Sequence, residues 1–271
     1  MTIYIEGFRN VPVLLWILLA STAFSALLPG PRQAVPLLGG GFVPTNRGFY
    51  FPAPVFESGS GLLGILLVAC LIGAWLFRRW ASAKQKATGE ILPVLWITIA
   101  IIIIPTFLMY LILGRPIGLD TPTLQGVNYQ GGLFVRNSFM ALWLALSLYT
   151  GAFIAENVRS GIQAISHGQT EAASSLGLPA NRTMNLVVLP QALRIIIPPL
   201  ISQYLNLTKN SSLAIAVGYM DVTGTLGGIT LNQTGKEMEC LLLLMAFYLA
   251  VSLLISGVMN VYNNSVSLKE R

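Results

Sequence analysis

Long apolar runs separated by short polar stretches dominate the chain. A helix of about 20 apolar residues crosses the hydrocarbon core of a bilayer, and six runs meet or approach that length. The predicted membrane-spanning helices are 11–29, 60–77, 91–113, 133–155, 195–219 and 240–261. The pattern therefore predicts an all-α membrane protein, a polytopic bundle of about six transmembrane helices.

Composition strengthens this prediction. Of the 271 residues, 54% are hydrophobic and only 10% are charged, and the mean hydropathy is +0.71. Soluble domains carry about 25% charged residues, so a soluble core is excluded. Because the apolar runs extend along the whole sequence, we expect one transmembrane domain over 1–271. Two cysteines and one histidine do not form a metal-binding spacing, and no metal site is predicted.

Basic residues indicate the orientation, because Lys and Arg accumulate in cytoplasmic loops. Placing the amino terminus inside gives ten basic residues in cytoplasmic segments and four in external ones. The cytoplasmic set is Arg9, Arg78, Arg79, Lys84, Lys86, Arg159, Arg182, Arg194, Lys269 and Arg271. Both termini are therefore predicted to be cytoplasmic. The net charge of +6 reflects this bias and does not indicate nucleic-acid binding.

Two external segments differ in character. The loop 30–59 is rich in Pro, Gly and aromatic residues, a composition that favours an ordered irregular structure over a flexible linker. The segment 221–235 contains four glycines and four threonines. It fits either a re-entrant turn or an ordinary loop.

The longest cytoplasmic segment is 156–194. It is too polar to cross a membrane, and its residues mark two short helices. Thr170 is a candidate N-cap, Gly177 can end the first helix, and Pro179 suits the start of the second. Small side chains at Ala172 and Ala173 would let the first helix enter a groove on a partner. A surface helical hairpin between two spans is the alternative.

Polar residues interrupt the span 195–219. Their spacing of three and four residues places most of them on one helix face, and a mid-span lysine costs about 2.5–3.5 kcal/mol on an insertion scale. The polar residues are Ser202, Gln203, Asn206, Lys209, Asn210 and Ser212. They either line a substrate pathway or form hydrogen bonds between helices, and Lys209 can also extend to the interface.

Glu156 closes the span 133–155 at its cytoplasmic end. A carboxylate there meets the negative end of the helix dipole. A cation of the protein or the ammonium group of a substrate would compensate it. An ordinary solvated carboxylate at the interface is the alternative.

Catalytic motifs are absent from the sequence. It contains no GxxxxGK[ST] phosphate loop, no GxSxG and no HExxH. We therefore predict no catalytic residues and a protein that is not an enzyme. If ATP drives it, another chain must bind the nucleotide.

The cytoplasmic segment carries a family resemblance. Residues 171–190 read EAASSLGLPANRTMNLVVLP, which resembles the EAA loop of binding-protein-dependent ABC import permeases. The matching positions are Glu171, Ala172, Ala173, Gly177, Leu189 and Pro190. The resemblance implies that 165–190 forms coupling helices which dock into ATPase subunits.

Other stretches are similar to the polar amino-acid branch of that family. They are EGFRNVP at 6–12, YTGAFIAENVRSGI at 149–162 and LNLTKNSSLAIAVG at 205–218. LPGPRQA at 28–34 is similar to the general L-amino-acid permeases, and 60–113 fits an inserted hairpin. With the polar face of the fifth span, these stretches nominate a substrate pathway. Its predicted residues are Glu156, Asn206, Lys209, Asn210 and Ser212.

The resemblance implies the transmembrane subunit of an ABC importer in the bacterial inner membrane, moving amino acids of broad specificity from periplasm to cytoplasm. It implies a homologous permease subunit, two ATPase subunits that hold ATP and Mg²⁺, and a periplasmic amino-acid-binding protein as partners, with no cofactor on this chain. Asn210 suggests neutral or broad specificity, since members selecting basic amino acids often carry an acid there.

Two alternative functions remain open. One is an ion-coupled secondary transporter or channel, with Lys209 and Glu156 as charged pathway residues. The other is a non-transporting assembly subunit. Family members carry a span before the ExFRxxP stretch, in which this sequence starts, and the resemblance therefore suggests a shortened form.

Overall fold

The computed structural model describes residues 2–90 and 92–266. Most of them are helical, which confirms the predicted fold class. The α-helices are α1 (Thr2–Asn10), α2 (Val13–Leu27), α3 (Ser60–Thr88), α4 (Val94–Ile112), α5 (Asn137–Gln163), α6 (His167–Ser175), α7 (Ala180–Thr183), α8 (Leu189–Asn210), α9 (Val222–Gly224), α10 (Leu231–Thr234) and α11 (Glu237–Val266). Lys269 and Arg271, two of the basic residues that predict the orientation, lie outside the described residues.

Five helices of the described chain are long and apolar enough to cross a membrane, and a bent pair raises the number to six. The five are Ser60–Thr88, Val94–Ile112, Asn137–Gln163, Ala180–Val217 and Glu237–Asn263. The helical stretch 180–217 is continuous, because a π-helical turn at Met184–Val188 joins α7 to α8 and a 3₁₀ turn at Ser211–Val217 follows. Each of these helices overlaps a predicted span.

The first predicted span, 11–29, corresponds to α2, the second helix of the bent pair, and α1 precedes it. Ile3–Asn10 and Val13–Leu27 meet at an angle of 102°, and the break falls at Val11 and Pro12. Proline disfavours helical backbone in the residue before it, so α1 cannot continue through Val11. The straight part, α2, has 15 residues. At 1.5 Å per residue it measures about 22 Å, less than the hydrocarbon core of about 30 Å.

The chain folds into two compact units. The first comprises Met1–Gly30, Thr45–Gly48 and Val135–Arg271, and the second comprises Pro31–Pro44 and Phe49–Phe134. The first unit contains the predicted coupling loop and the polar span, and the second contains the predicted hairpin 60–113.

α5 organises the first unit. It packs against α1, α2 and α8, and α8 packs in turn against α11. The buried core joins α2 to α5 and to the 3₁₀ turn, through Val13, Ile17, Leu142, Ala145, Leu146 and Ala214. On α5, Gly161 lets α8 approach closely, because a Cβ atom at this position would overlap Ile196 Cγ1.

A tight turn fixes the start of α5. Within that turn the Thr45 hydroxyl donates to Gly48 O at 2.7 Å and accepts from Gly48 N at 3.1 Å. The buried Asn137 amide donates to Asn46 O at 2.7 Å. The first residue of α5 is therefore hydrogen-bonded to this turn.

α3 and α4 pack against each other in the second unit. The buried residues of α3 are Leu63, Cys70, Ala74 and Ala81, and their spacing of seven, four and seven places them on one stripe. Most other side chains of this pair are exposed, as expected for helices that face lipid in a membrane.

Short strands accompany this helix pair, and the sequence did not predict them. The strands are β1 (Val43–Thr45), β2 (Gly48–Phe51), β3 (Ala53–Phe56), β4 (Ile117–Asp120), β5 (Thr123–Gln125), β6 (Asn128–Gln130) and β7 (Leu133–Arg136). β1, β2 and β7 form one sheet in that order, while β3 pairs antiparallel with β4 and β5 with β6. Strands of three or four residues are too short to show an alternating pattern.

Aromatic side chains give these strands a small core of their own. Tyr50 packs against Tyr129 and Phe134 at ring-centroid distances of 5.4 and 4.9 Å, and its hydroxyl donates to Asn128 Oδ1 at 2.9 Å. The loop 30–59 was predicted to be ordered, and it contains short strands and buried aromatic side chains.

The segment 221–235, which fitted a turn or a loop, is largely helical. α9 and α10 flank a π-helical turn at Thr225–Thr230. Asp221 caps α9 by accepting a hydrogen bond from Gly224 N at 2.9 Å. Thr223 and Tyr248 share a hydroxyl hydrogen bond of 2.8 Å that ties the segment to α11.

Candidate substrate pathway and coupling loop

A polar pocket of about 270 Å³ lies between α5 and α8. Each helix contributes three residues at spacings that place them on one face. The lining residues are Tyr149, Thr150 and Phe153 from α5 and Gln203, Asn206 and Asn210 from α8. Its volume is near the lower end for small-molecule sites, about 300 Å³, and therefore suits a small ligand.

The lining offers hydrogen-bonding groups without formal charge. A carboxamide presents both N–H donors and a carbonyl acceptor, so Gln203, Asn206 and Asn210 can each contact an anionic or a cationic group. Among the described residues, no carboxylate, ammonium or guanidinium group lines this pocket. Such a lining can bind a zwitterion at both ends without selecting a charged side chain.

Only some of the predicted pathway residues of α8 line the pocket. Asn206 and Asn210 line the pocket. Lys209 lies in the last turn of α8, is exposed and does not line the pocket. The Ser212 hydroxyl donates to Lys209 O at 2.7 Å, so it supports the transition from α-helix to 3₁₀ turn.

Glu156 lies one helical turn beyond Phe153 on the same face of α5. Its carboxylate accepts from Arg159 Nε at 2.9 Å and pairs with Arg159 Nη2. Arg159 Nη1 also donates to Gln163 Oε1 at 2.7 Å. α5 continues past Glu156 to Gln163, so the carboxylate does not lie at the end of the helix. A cation of the protein, Arg159, compensates it, one of the two possibilities raised by the sequence.

Four pocket residues are not among the five predicted pathway residues: Tyr149, Thr150, Phe153 and Gln203. Gln203 belongs to the polar set of this span, and its spacing of three and seven from Asn206 and Asn210 was the available indication. The residues of α5 gave no such indication, because Thr and aromatic residues are ordinary in membrane spans.

The predicted coupling loop 165–190 begins with α6, which starts one turn earlier than predicted. α6 starts at His167 after Ser166, and Thr170 is not its N-cap, since the Thr170 hydroxyl donates to His167 O at 2.6 Å. Gly177 ends the helix as predicted. Its φ of +76° is a left-handed conformation that glycine adopts without a Cβ clash, and Leu178 N donates back to Ala173 O at 3.2 Å.

The two faces of α6 differ. Ala173 is 4% exposed and lies inside the loop, and Gln169 on that side accepts a hydrogen bond from Gln191 at 3.3 Å. The opposite face exposes Glu171 between Gly168, Ala172 and Ser175. A single carboxylate among small residues is thus the free surface of this helix, whereas Ala173 packs within the loop.

Leu189 and Pro190 open α8 and are exposed. Proline has no N–H to donate to the carbonyl of the residue four positions earlier. The π-helical turn at Met184–Val188 lies directly before it, and such turns accommodate breaks in regular helical bonding. The loop therefore enters α8 as continuous helix.

Comparison with known proteins is consistent with this architecture. Residues 88–267 match the family described as binding-protein-dependent transport system inner membrane component. The chain is 50% identical over 301 aligned positions to the glutamate/glutamine/aspartate/asparagine transport system permease protein BztB of Rhodobacter capsulatus, covering 100% of this chain and 70% of that protein.

Two further relatives are similar over the whole chain. The general L-amino acid transport system permease protein AapQ of Rhizobium johnstonii is 45% identical, with 100% of this chain and 67% of the relative covered. The putative amino-acid ABC transporter permease protein YhdX of Escherichia coli is 46% identical, with 100% and 68% covered.

A chain from the crystal structure of an amino acid ABC transporter with histidines is 22% identical, with a TM-score of 0.43 and coverage of 77% of this chain and 92% of that one. The assignment to a family rests on the relatives found by sequence, and they confirm the predicted resemblance to permeases. The protein is a multi-pass membrane transport subunit and not an enzyme. It belongs to the family of inner-membrane components of binding-protein-dependent transport systems.

Proposed function

We propose that this chain forms part of an amino-acid pathway of broad specificity from the periplasm to the cytoplasm. The observation that carries the proposal is the pocket between α5 and α8, lined by three carboxamides and no formal charge among the described residues. Carboxamides can donate to an α-carboxylate and accept from an α-ammonium group. Relatives named for glutamate, glutamine, aspartate and asparagine and for general L-amino acids support this substrate class.

Within this pathway, Asn206 and Asn210 would contact the substrate, and Glu156 with Arg159 would lie one turn further along α5. Lys209 and Ser212 would act at the end of α8 rather than in the pocket. Residues 1–271 would work as one permease domain, to which the hairpin 60–113 belongs.

The proposed assembly contains a homologous permease subunit as the second half of a heterodimer. It also contains two ATPase subunits that bind ATP and Mg²⁺, and a periplasmic amino-acid-binding protein. Both termini would be cytoplasmic, following the distribution of basic residues. The secondary-transporter and assembly-subunit alternatives gain no support from the relatives, which are named as permeases.

The coupling loop 165–190 would transmit ATPase closure to the spans. Glu171 and Ala172 lie on the free face of α6 and would enter a groove on the ATPase, where the carboxylate would meet a cation. Ala173 and Gly177 would maintain the shape of the loop. Leu189 and Pro190 would connect it to α8, the helix that also lines the pocket.

The test of coupling is a charge reversal on the free face of α6. Glu171→Lys should abolish uptake and ATPase co-purification while membrane insertion persists, because an exposed carboxylate is replaced without loss of packing. Gly177→Asp should have the same effect through strain at positive φ. Glu237→Lys reverses an exposed carboxylate at the start of α11 and serves as the matched control. Normal uptake by both loop variants would refute the coupling role.

The test of the pocket is Asn210→Asp, measured as uptake competition across the twenty amino acids. A carboxylate in the lining should shift preference toward Arg, Lys and His, since an anion favours a cationic side chain. Asn232→Asp introduces the same change on exposed α10 and should leave the profile unaltered. A substrate profile identical to the parent protein would remove Asn210 from the pathway.

A further inference from the structure

The carboxy-terminal part of α3 extends beyond the length that a bilayer core requires. α3 has 29 residues, about 43 Å at 1.5 Å per residue, against a hydrocarbon core of about 30 Å. Residues 60–77 contain no charged side chain, and four basic residues follow within 78–86. The helix therefore carries its basic residues out of the hydrocarbon and into the headgroup region.

One stripe of α3 combines three kinds of side chain in order. Spacings of four, three, four, three and four residues place them on the same side of the helix. The stripe consists of Val68, Ile72, Trp75, Arg79, Ser82 and Lys86, and every member is exposed. Along the helix it changes from aliphatic to tryptophan and then to basic. This stripe is distinct from the buried one that contains Ala74 and Ala81.

The two basic residues on this stripe form no ion pair with a carboxylate of the described residues. Lys84, which lies elsewhere on the helix, pairs with Glu90 at 2.7 Å. Within residues 2–90 and 92–266, no carboxylate forms an ion pair with Arg79 or Lys86. The guanidinium of Arg79 lies 4.4 Å from the centroid of the Trp75 ring, which holds it next to the apolar part of the helix.

We propose that this stripe binds an anionic phospholipid. The phosphate would contact Arg79 and Lys86, the glycerol region would contact Trp75, and an acyl chain would lie along Val68 and Ile72. Arginine forms paired hydrogen bonds with phosphate oxygens, tryptophan favours the membrane interface, and basic clusters next to a span attract anionic lipid.

The order of side chains favours lipid over an acidic protein. A protein surface that complements the basic residues would have no reason to require an exposed aliphatic and tryptophan segment on the same line. A phospholipid has this order of chemistry in a single molecule. Arg79 and Lys86 have no carboxylate partner among the described residues, whereas Lys84 is paired with Glu90. Variants of these three residues can therefore test the effect of pairing within one helix.

The experiment measures quenching of Trp75 by brominated lipid. The full chain is reconstituted into nanodiscs of phosphatidylcholine with increasing fractions of brominated phosphatidylglycerol or brominated phosphatidylcholine. The Trp75 signal is the difference between the parent protein and Trp75→Phe. We expect half-maximal quenching at a lower fraction of phosphatidylglycerol than of phosphatidylcholine. Arg79→Gln and Lys86→Gln should each raise that fraction about fivefold, and Lys84→Gln should leave it within about twofold because Lys84 is already paired.

Several outcomes would overturn the proposal. Equal quenching by the two lipids would show that the stripe does not select an anionic headgroup, and an effect of Lys84→Gln as large as that of Lys86→Gln would reduce it to general charge attraction. The measurement is repeated on the transporter assembled with its partner subunits. Loss of phosphatidylglycerol quenching there would assign the stripe to a protein contact instead.

Discussion

The α5–α8 pair and the α3–α4 pair both consist of apolar helices that pack side by side, but they use their contact surfaces differently. α5 and α8 approach closely at Gly161 and leave a polar pocket further along. The groove between α3 and α4 is lined mainly by aliphatic and aromatic side chains such as Leu67, Ile103 and Phe107. Hydrophobicity alone predicts that both pairs enter a membrane, whereas the position of small and polar residues distinguishes a helix pair that can bind solute.

The largest expected difference concerns a single added methyl group. Gly161→Ala should destabilise the protein by about 1–3 kcal/mol, a typical cost of overpacking, because the new Cβ overlaps Ile196 Cγ1. Gly73→Ala is the matched change in α3, where a Cβ would meet Ile101 Cγ2 at 3.9 Å, an ordinary contact. Thermal unfolding in detergent and uptake in cells measure both variants. Equal melting temperatures would remove the close contact as a distinguishing feature of α5 and α8.

A smaller effect is expected from loss of one polar group. Asn206→Leu removes a carboxamide from the pocket, and a lost hydrogen bond of about 0.5–1.5 kcal/mol corresponds to a fall in uptake of up to about tenfold. Thr106→Val is the matched control in the α3–α4 groove, because the Thr106 hydroxyl donates only to Ile102 O within its own helix. Initial uptake rates at several substrate concentrations provide the measurement. A pocket role would be contradicted if both variants transported equally well.

The smallest effect is expected at the two ion pairs found among the described residues, Glu156 with Arg159 and Lys84 with Glu90. Arg159→Gln leaves Glu156 of α5 unpaired, and we expect uptake to fall about fivefold or less, since exposed pairs contribute little. The double variant Glu156→Gln with Arg159→Gln should recover part of the loss, because it removes the uncompensated carboxylate. Lys84→Gln, which breaks the pair in α3, should not change uptake. A similar loss for Lys84→Gln would show that the first pair has no special role.

The sequence predicted the helices of both regions because long apolar runs have few alternatives in a membrane. It also placed Gly177 correctly, since a left-handed helix end strongly favours glycine. The helix α1 was not predicted, because Glu6, Arg9 and Asn10 interrupt the apolar pattern before the first predicted span. The strands were not predicted, because a strand of three or four residues is too short to show an alternating hydrophobic pattern.

The sequence predicted only some of the residues that line the pocket. Asn206 and Asn210 stood out because carboxamides are unusual in an apolar span, and both line the pocket. Lys209 stood out more strongly but is exposed at the end of α8. Which side of a helix faces a pocket depends on the neighbouring helix, so Tyr149, Thr150 and Phe153 could be identified only after α5 and α8 were paired.

The unbroken helical stretch 180–217 has a mechanical meaning. It begins in the loop and passes the pocket, and its 38 residues measure about 57 Å if helical throughout. Pro198 and Pro199 lie within it, and neither supplies a donor to the carbonyls of Arg194 and Ile195. A helix that lacks hydrogen bonds at one turn still transmits displacement along its axis, but it bends more easily at that turn. Displacement at the loop would thus arrive at Gln203, Asn206 and Asn210 as a tilt, which widens one mouth of a cavity as it narrows the other.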